Sequence, residues 1–345
     1  MKTWRVAGIN FDHMHMPTLL GYVADHPWAQ IVGICHEVRQ KMLPMADQFQ
    51  IPSESIYTDY EKCLRQTEPD IVLLCPATAT HGLWTQRIAN HGRGYHIIME
   101  KPFAATLAEA DKMISSVAIT GKQLAINWPL AWYPCHVTTK RLISEGLIGE
   151  VIEVHYYDGN KGDTFAPDSW FMQKDKGGGS LLDYLGYGVT LGTWFMDDRQ
   201  PLAVTAVAYT PPTWEVDNHS IIIAHYEEGL SKFETRWGTL TSPWLHQPQP
   251  KCGFVVVGSL GSIASYDYET TVRLQTLEQP EGFTVAVDTA QPPYQNCLQY
   301  LIHCLENDEP IAGPLSVSTS RIGQQIVDTA VRSAAEHRTI ELIEA

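Results

Sequence analysis

Short apolar runs alternate with helical patterns through the first third of this chain, and that alternation limits the fold more than any other feature. Strand-like runs lie at 4–9, 31–35, 71–75, 95–99 and 123–127. Helical patterns lie between them, near 17–25, 38–49, 79–91 and 106–120. Strands that alternate with helices predict parallel βαβ units, and therefore a Rossmann-like, doubly wound α/β sheet.

The pattern changes after about residue 150. A helix near 134–146 leads to a strand at 151–157, and a glycine-rich helix is predicted at about 178–196. Longer β-like runs then follow, with short connections that favour antiparallel pairing. These runs lie at 202–210, 219–225, 230–237, 253–257 and 262–266, and a final helix is predicted at about 318–336.

A chain of 345 residues can form two domains with separate cores. We therefore predict a Rossmann-like domain over 1–125, the architecture in which a dinucleotide-binding domain is commonly built. The remainder, 126–345, is predicted to be an α+β domain with a large, mostly antiparallel open sheet. The position of the last helix is left open, because it could pack back on the first domain.

The acidic composition of the chain argues against several kinds of partner. The net charge is −15, from 39 acidic and 24 basic residues, which disfavours nucleic acid and anionic membranes.

The opening MKTWRVAGINFD has an apolar run too short for a signal peptide, and no apolar stretch reaches the roughly 18 residues of a membrane span. Seven cysteines without a C-x-x-C pair fit a reducing compartment. We therefore expect a cytoplasmic protein with no nucleic-acid or membrane partner.

One segment that can do chemistry is HIIMEKPF, residues 96–103. A buried strand runs directly into Glu100 and Lys101, at the carboxyl end of the predicted sheet, where ligands bind in this architecture. Pro102 disfavours helical geometry at Lys101, so the lysine should project from extended backbone. A solvated charge pair at a strand end is the ordinary structural alternative.

A second segment is GGGSLLDYLGYGVTLGTW, residues 177–194. Asp183 and Tyr187 are four residues apart and would share one face of a helix. Each glycine inside such a helix costs roughly 1 kcal/mol relative to alanine, so the segment should need close approach by a ligand or by another backbone. Tight helix–sheet packing is the alternative to a binding site.

Together, the two segments resemble the Gfo/Idh/MocA oxidoreductases, which include glucose–fructose oxidoreductase and inositol dehydrogenase. Three more stretches carry the resemblance along the chain. CPATATH at 75–81 is similar to the family's C-T-P-N-x-x-H turn, with Thr78 where asparagine is usual. GLIGEV at 146–151 resembles its G-x-I-G-E-V bridge, and GSLGS at 258–262 resembles its G-[ST]-x-G-[ST] hairpin.

The resemblance implies an enzyme that transfers a hydride between a nicotinamide cofactor and a sugar, polyol or cyclitol alcohol or carbonyl. Lys101 would hydrogen-bond the reacting oxygen, and Asp183 would orient the substrate. Tyr187 would exchange the proton, a role that histidine fills in many relatives. Tyrosine has an ordinary pKa of about 10, and a neighbouring Lys101 cation would favour the phenolate. The resemblance also implies a homodimer or homotetramer formed through a helix-free face of the second sheet.

The first turn, GINFDHMH at 8–15, departs from the usual glycine fingerprint, whose three positions read Gly8, Asn10 and His13. Asparagine tolerates positive φ, so Asn10 can keep the turn. His13 is far larger than glycine, so the helix should begin late, at about 14–17, where Pro17 suits a first turn. Asp12 would repel a pyrophosphate unless it caps the helix.

The end of the second strand bears on the choice of nucleotide. His36 stands where relatives most often carry the ribose-binding acid, and Glu37 follows it. A carboxylate there favours NAD over NADP, whereas Arg39 keeps NADP possible. The residues predicted to contact the cofactor are Gly8, Asn10, Phe11, His13, His36, Glu37, Pro76, Ala77, Thr78, His81, Glu100 and Lys101.

Aromatic side chains supply the candidates for substrate binding. Trp128, Tyr157 and Trp170, together with Lys161, are the predicted contacts, although aromatic residues in such segments are more often part of the core. On the strand at 154–158, His155 and Tyr157 share one face while Tyr156 and Asp158 share the other. The sequence leaves open which pair faces the pocket.

Two alternatives remain. A non-catalytic member of the same fold would bind the dinucleotide as a sensor or regulator. A metal-dependent hydrolase would use His13 and His15, whose H-x-H spacing resembles that of amidohydrolase barrels, but this needs a (β/α)₈ chain with further ligands at later strand ends. We therefore predict no metal.

Overall fold

A computed structural model describes residues 2–160, 165–238 and 252–344 of the chain. Within these ranges the strands are β1 (Trp4–Ile9), β2 (Ala29–Cys35), β3 (Ile56–Tyr57), β4 (Ile71–Leu74), β5 (His96–Glu100), β6 (Leu124–Asn127), β7 (Val151–Asn160), β8 (Ala203–Tyr209), β9 (His219–His225), β10 (Leu230–Trp237), β11 (Gly253–Gly258), β12 (Gly261–Tyr266), β13 (Thr271–Thr276), β14 (Phe283–Ala286) and β15 (Ile340–Glu341). The α-helices are α1 (Met16–Asp25), α2 (Leu43–Gln48), α3 (Tyr60–Thr67), α4 (His81–Ala89), α5 (Leu107–Ala118), α6 (Pro134–Ser144), α7 (Ser180–Asp183), α8 (Leu185–Phe195), α9 (Cys297–Asn307) and α10 (Val317–Glu336). None of these helices is long and apolar enough to cross a membrane.

The chain divides into two compact units. The first comprises 1–127 and 291–317, and the second comprises 128–290 and 318–345. The predicted domain boundary after residue 125 lies close to residue 127, where the chain first leaves the first unit. The sequence did not predict that 291–317 return to the first unit. That return brings α9 against α1, with Trp4 Nε1 donating to Glu306 Oε1 at 3.2 Å. The last helix, from Ser318 onward, belongs to the second unit.

The first unit is built on a six-stranded sheet in the order β3-β2-β1-β4-β5-β6. Its paired strands all run parallel, which confirms the predicted doubly wound fold. The strand order reverses between β1 and β4. In such sheets ligands bind in the crevice at the carboxyl ends of the strands next to this reversal.

The second unit is built on a nine-stranded sheet in the order β14-β13-β12-β11-β7-β10-β9-β8-β15. β7 pairs in parallel with β10, and β11 lies antiparallel on its other side. This large, mostly antiparallel sheet confirms the predicted α+β architecture.

One face of this second sheet packs on α8, where the helix contributes glycines. A Cβ on Gly188 would lie 2.8 Å from the Tyr156 ring, and a Cβ on Gly192 would lie 2.7 Å from the Phe233 ring. Contacts this short leave no room for any side chain but hydrogen. Helix–sheet packing therefore explains these two glycines, as the ordinary alternative in the sequence suggested.

Candidate functional site

The turn after β1 is held in place by backbone hydrogen bonds. Asn10 has φ 66°, which confirms the expectation that this residue adopts the left-handed conformation in place of glycine. Its N–H donates to the Cys35 carbonyl at 2.9 Å, and the N–H groups of Asp12 and His13 both donate to the Cys75 carbonyl at 3.1 Å. The turn is thereby fastened to the ends of both neighbouring strands, β2 and β4.

Helix α1 begins at Met16 with Pro17 in its first turn, as the late start predicted from His13 requires. The preceding His15 N–H donates to His13 Nδ1 at 3.2 Å, which closes the segment before the helix. The sequence left open whether Asp12 caps this helix; the N-cap residue is His15, and it makes no side-chain cap hydrogen bond. Asp12 lies too far before Met16 and is drawn to other partners at the end of β2.

Those partners are His36 and Lys41. His36 Nε2 lies 3.2 Å from Asp12 Oδ1, and Lys41 Nζ lies 2.5 Å from the same oxygen. Burial opposes charge on Asp12, but these two contacts outweigh it and lower the pKa of the carboxyl. The carboxylate is therefore ionised at neutral pH and lies beside the residues that follow β2.

The remaining predicted cofactor residues near β2 differ in exposure. His36 is buried, with the Phe11 ring edge-on at 6.4 Å between centroids. Glu37 is exposed. The Arg39 Nη1 donates to the Ile56 carbonyl at 3.0 Å, which holds this cation against the backbone of β3.

The strand β5 ends in the buried pair of Glu100 and Lys101. Glu100 is fully buried and Lys101 is only 2% exposed. Glu100 Oε1 lies 2.7 Å from His15 Nδ1, and Glu100 Oε2 accepts a bond from Asn127 Nδ2 at 2.8 Å. The carboxylate thus joins the first turn to the ends of β5 and β6, so it is more than a solvated charge pair at a strand end.

The charge states of this cluster follow from burial and proximity. Burial opposes ionisation of Glu100, but His15, Lys101 and Asn127 outweigh it and lower its pKa. Burial and the nearby Lys101 cation lower the pKa of His13 well below its ordinary value. At neutral pH the cluster therefore combines an ionised carboxylate with a neutral imidazole.

The predicted cofactor residues in the turn after β4 are buried in the protein. Pro76, Ala77, Thr78 and His81 are all buried. The His81 ring nitrogens lie 3.2 Å from the Phe103 carbonyl and 3.3 Å from the Pro76 carbonyl. Burial lowers the pKa of His81 to about 4, so a neutral imidazole ties the turn after β4 to the segment after β5.

In the second unit, Asp183 and Tyr187 do not share one continuous helix. The predicted helix at about 178–196 is divided: Asp183 ends α7, and Tyr187 lies in the first turn of α8. Asp217 explains where α7 begins, since its carboxylate accepts bonds from the Ser180 hydroxyl and, at 2.7 Å, from the Leu181 N–H.

Trp128 sets the environment of Tyr187. The two rings meet edge to face at 5.4 Å between centroids, and a Cβ on Gly186 would lie 2.6 Å from the Trp128 ring. Trp128 is buried and its indole N–H donates to Ser320 Oγ at 3.0 Å. Asp183 is fully buried, whereas Tyr187 is half-buried. Trp128 therefore supports Tyr187 from within the core.

The other predicted substrate contacts are Tyr157, Trp170 and Lys161. Tyr157 lies on the face of β7 opposite Tyr156, and Tyr156 is the one that packs on α8. The structure therefore places Tyr157 away from Tyr187, because successive residues of a strand point to opposite faces. Trp170 is half-buried and stacks on Phe171 at 3.8 Å between centroids. Lys161 lies outside the described residues.

The first turn also brings together donors of the kind that bind zinc. His13, His15 and Glu100 each offer an atom within 4.8 Å of the others. The positive charge of Lys101, close enough to affect His13, opposes a divalent cation there. The described residues form two open sheets, so the (β/α)₈ fold that the hydrolase alternative requires is not what these residues build.

Three residues of this region were not among the predicted site residues: Asp12, Lys41 and Asn127. The H-x-H spacing did draw attention to His15, but nothing in the sequence pairs it with Glu100, 85 positions away. From the sequence, Asp12 is only a possible helix cap or a source of repulsion toward a pyrophosphate. Its contacts with His36 and Lys41 depend on the packing of β1 beside β2, which a sequence pattern does not specify.

The parallel sheet with its strand-order reversal, the fastened turn after β1 and the buried Glu100–Lys101 pair define a dinucleotide-binding oxidoreductase of the two-domain type. Residues 4–128 match the model of an oxidoreductase family with an NAD-binding Rossmann fold. Residues 136–264 match the model of the Gfo/Idh/MocA C-terminal domain. The chain belongs to the Gfo/Idh/MocA family of NAD-dependent oxidoreductases.

Named relatives share modest identity with this chain. It is 23% identical over 334 residues to a D-apiose dehydrogenase of Paraburkholderia graminis, covering 92% of this chain and 85% of the relative. It is also 23% identical over 247 residues to the uncharacterized oxidoreductase C115.03 of Schizosaccharomyces pombe, covering 68% of this chain but only 63% of that protein.

A solved structure of an Agrobacterium radiobacter oxidoreductase in complex with NAD+, L-tartaric acid and magnesium has the same fold. The two superpose with a TM-score of 0.82 at 18% identity, over 99% of each chain. At this identity the likeness speaks for the fold.

Proposed function

We propose that this chain oxidises or reduces a sugar, polyol or cyclitol at a CH–OH carbon, with NAD as the cofactor. The observation that carries the proposal is the buried Lys101, placed directly after β5 and beside the first turn through the Glu100–His15 contact. A buried lysine needs a functional or electrostatic reason to be retained. D-apiose dehydrogenase, at 23% identity over most of its length, supports a sugar-like substrate.

The first unit has features that fit the dinucleotide. Asn10 Oδ1 is buried without a hydrogen-bond partner among the described residues, so its amide is available to a bound ligand. A Cβ on Gly8 would lie 3.2 Å from Met16 Sδ, so glycine lets α1 begin close to the strand. Gly8, Asn10 and Phe11 would hold the phosphates, and Glu100 and Lys101 would lie toward the nicotinamide, which supplies the hydride acceptor or donor when bound.

The proposal gives each catalytic residue one task. Lys101 hydrogen-bonds the reacting oxygen and stabilises negative charge on it. Asp183, as a buried carboxylate, orients the substrate by accepting bonds from its hydroxyl groups. Tyr187 takes up or returns the hydroxyl proton at its phenolic oxygen.

We also propose a homodimer or homotetramer formed through the second sheet. The face that carries Tyr157 is opposite α8 and includes exposed apolar side chains, among them Val207 at 60% and Val255 at 36%. Strand pairing places Val207 opposite Ile221 on the same face. Light scattering coupled to gel filtration gives the oligomer mass, and a monomer at micromolar concentration would contradict the assembly.

The central test is Lys101→Met, compared with Lys112→Met on the exposed side of α5 as the charge-matched control. We expect turnover of a reactive polyol or sugar to fall by roughly 10²–10⁴ in Lys101→Met and to stay at the wild-type level in the control. Turnover retained in Lys101→Met would remove this lysine from the mechanism.

Binding measurements separate this proposal from the two alternatives. Fluorescence titration with NADH and NADPH should show binding at sub-millimolar concentration; if neither binds, the dehydrogenase proposal is wrong. Binding without turnover across a screen of sugars and cyclitols would favour a sensor. Stoichiometric zinc in the purified protein would favour metal chemistry at His13 and His15.

A further inference from the structure

The residue that follows β2 where NAD-binding folds usually carry an acid is His36, a group that cannot accept two ribose hydroxyls. In doubly wound sheets that acid lies about 20 residues after the glycine turn and hydrogen-bonds the ribose, whereas a nearby arginine accommodates the 2′-phosphate of NADP. The chain nevertheless has a carboxylate at this place. It belongs to Asp12 of the first turn, whose Oδ1 lies 3.2 Å from His36 Nε2.

The hydrogen bonds of His36 show which group donates to which. The Val38 N–H donates to His36 Nδ1 at 2.8 Å, so Nδ1 carries no proton. In the neutral ring the proton is then on Nε2, which donates it to Asp12. His36 is thus a neutral donor that orients the Asp12 carboxylate.

The cations that would attract a 2′-phosphate are both engaged. Lys41 Nζ is 2.5 Å from Asp12 Oδ1, and Arg39 donates to the Ile56 carbonyl. The Asp12 side chain is 25% exposed and Lys41 45% exposed, so both groups can meet a ligand from solvent.

We propose that Asp12 is the residue that selects NAD over NADP in this protein. Oriented by His36 and Lys41, its carboxylate accepts the hydroxyl groups of the adenosine ribose and repels a 2′-phosphate. It also neutralises Lys41, which would otherwise attract that phosphate. The inference rests on the proposed function, since it assumes that a dinucleotide binds at the first turn.

Glu37 is the rival carboxylate, and the structure favours Asp12. Glu37 is exposed at the end of β2, whereas Asp12 is fixed by two side chains and by its own N–H, which donates to the Cys75 carbonyl. A carboxylate that is already oriented loses less conformational entropy on binding a ligand.

The experiment measures NADH and NADPH dissociation constants by fluorescence for the wild type and for Asp12→Asn, Glu37→Gln and Asp47→Asn. Asp47→Asn removes the same charge from the exposed side of α2 and serves as the control. We expect Asp12→Asn to weaken NADH binding roughly tenfold and to strengthen NADPH binding by a similar factor. The control should change neither constant, and the gain for NADPH should disappear in the double variant Asp12→Asn/Lys41→Met.

Each other outcome has a defined meaning. Wild-type protein that binds NADPH more tightly than NADH overturns the selection by Asp12 but leaves the dehydrogenase proposal intact, whereas no binding of either nucleotide defeats the proposed function itself. Equal weakening of both nucleotides in Asp12→Asn, with an unchanged melting temperature, shows that Asp12 does not discriminate. A switch of preference in Glu37→Gln alone assigns the selection to Glu37.

Discussion

Two segments have a closely surrounded backbone: the first turn of the first unit and the glycine-rich segment of the second. They differ in whether glycines are present and in what surrounds the backbone. At 8–15 two fingerprint glycines are absent, and Asn10 adopts positive φ while backbone bonds to Cys35 and Cys75 hold the turn. At 177–192 the glycines are present, and aromatic rings fill the space beside Gly186, Gly188 and Gly192. A missing glycine therefore does not exclude a nucleotide turn, and a retained glycine does not by itself indicate a ligand.

The largest expected effect concerns the support beneath the second segment. Tyr156, which packs on Gly188, donates its hydroxyl to Asp267 Oδ2 at 2.8 Å, and Asp267 Oδ1 lies 2.9 Å from His136 Nε2. His136 is fully buried. Asp267→Asn should lower the free energy of unfolding by about 3 kcal/mol or more, because it leaves the imidazole without its anion. Urea denaturation measures the change.

One matched control accompanies this variant. Asp288→Asn removes a carboxylate from an exposed pair with Arg141 and should cost no more than about 1 kcal/mol.

The same ion pair should make stability depend on pH. Burial opposes protonation of His136, but Asp267 outweighs burial and raises the pKa of His136 to about 10. Since this lies above the unfolded value of about 6.5, the stabilisation is complete below about pH 6.5 and is lost as pH rises toward 10. An unchanged pH profile in Asp267→Asn would contradict the ion pair.

A smaller effect is expected where a glycine meets an aromatic ring. Gly192→Ala should destabilise the protein by about 1–3 kcal/mol, because the new Cβ would overlap the Phe233 ring. Gly21→Ala in α1 is the matched control, since no atom lies within 4 Å of its Cβ position. That control should gain about 0.5–1 kcal/mol from helix propensity. Changes of the same sign in the two variants would remove packing as the explanation.

The smallest effect is expected at the first turn. Asn10→Ala should lose about 1 kcal/mol of stability, because alanine tolerates the left-handed conformation less well than asparagine. Asn10→Gly should retain the wild-type stability, since glycine adopts this conformation without strain. Thermal unfolding distinguishes the two, and equal melting temperatures would show that the positive φ of Asn10 is of no consequence.

The fold was largely predictable because the apolar periodicity is strong where the strands are buried. β1, β9 and β10 begin and end at the predicted residues. β3 was not predicted, because a strand of two residues is too short to show an alternation of apolar and polar residues. α9 was missed although Leu298, Leu301 and Ile302 have helical spacing and Asn296 caps the helix; the return of this segment to the first unit depends on contacts across the whole chain.

The candidate site was predictable only in part, for a similar reason. Positions such as Asn10 and Lys101 follow from local backbone rules and from strand ends. The contacts Glu100–His15, Asp12–Lys41 and His136–Asp267 join residues 85, 29 and 131 positions apart. Such pairs are determined by strand order and side-chain packing, which a single sequence does not display.

The return of 291–317 to the first unit has a consequence for how the protein is made. Domains generally fold as units while the chain emerges from the ribosome, the N-terminal one first. Here the N-terminal unit lacks α9, whose Cys297 and Leu301 are fully buried, until after β7–β14 of the second unit have been synthesised. Chains arrested at about residue 290 should therefore leave α1 open to a protease that spares the finished protein. The cofactor domain is begun before the second unit but is completed only after most of the strands of that unit.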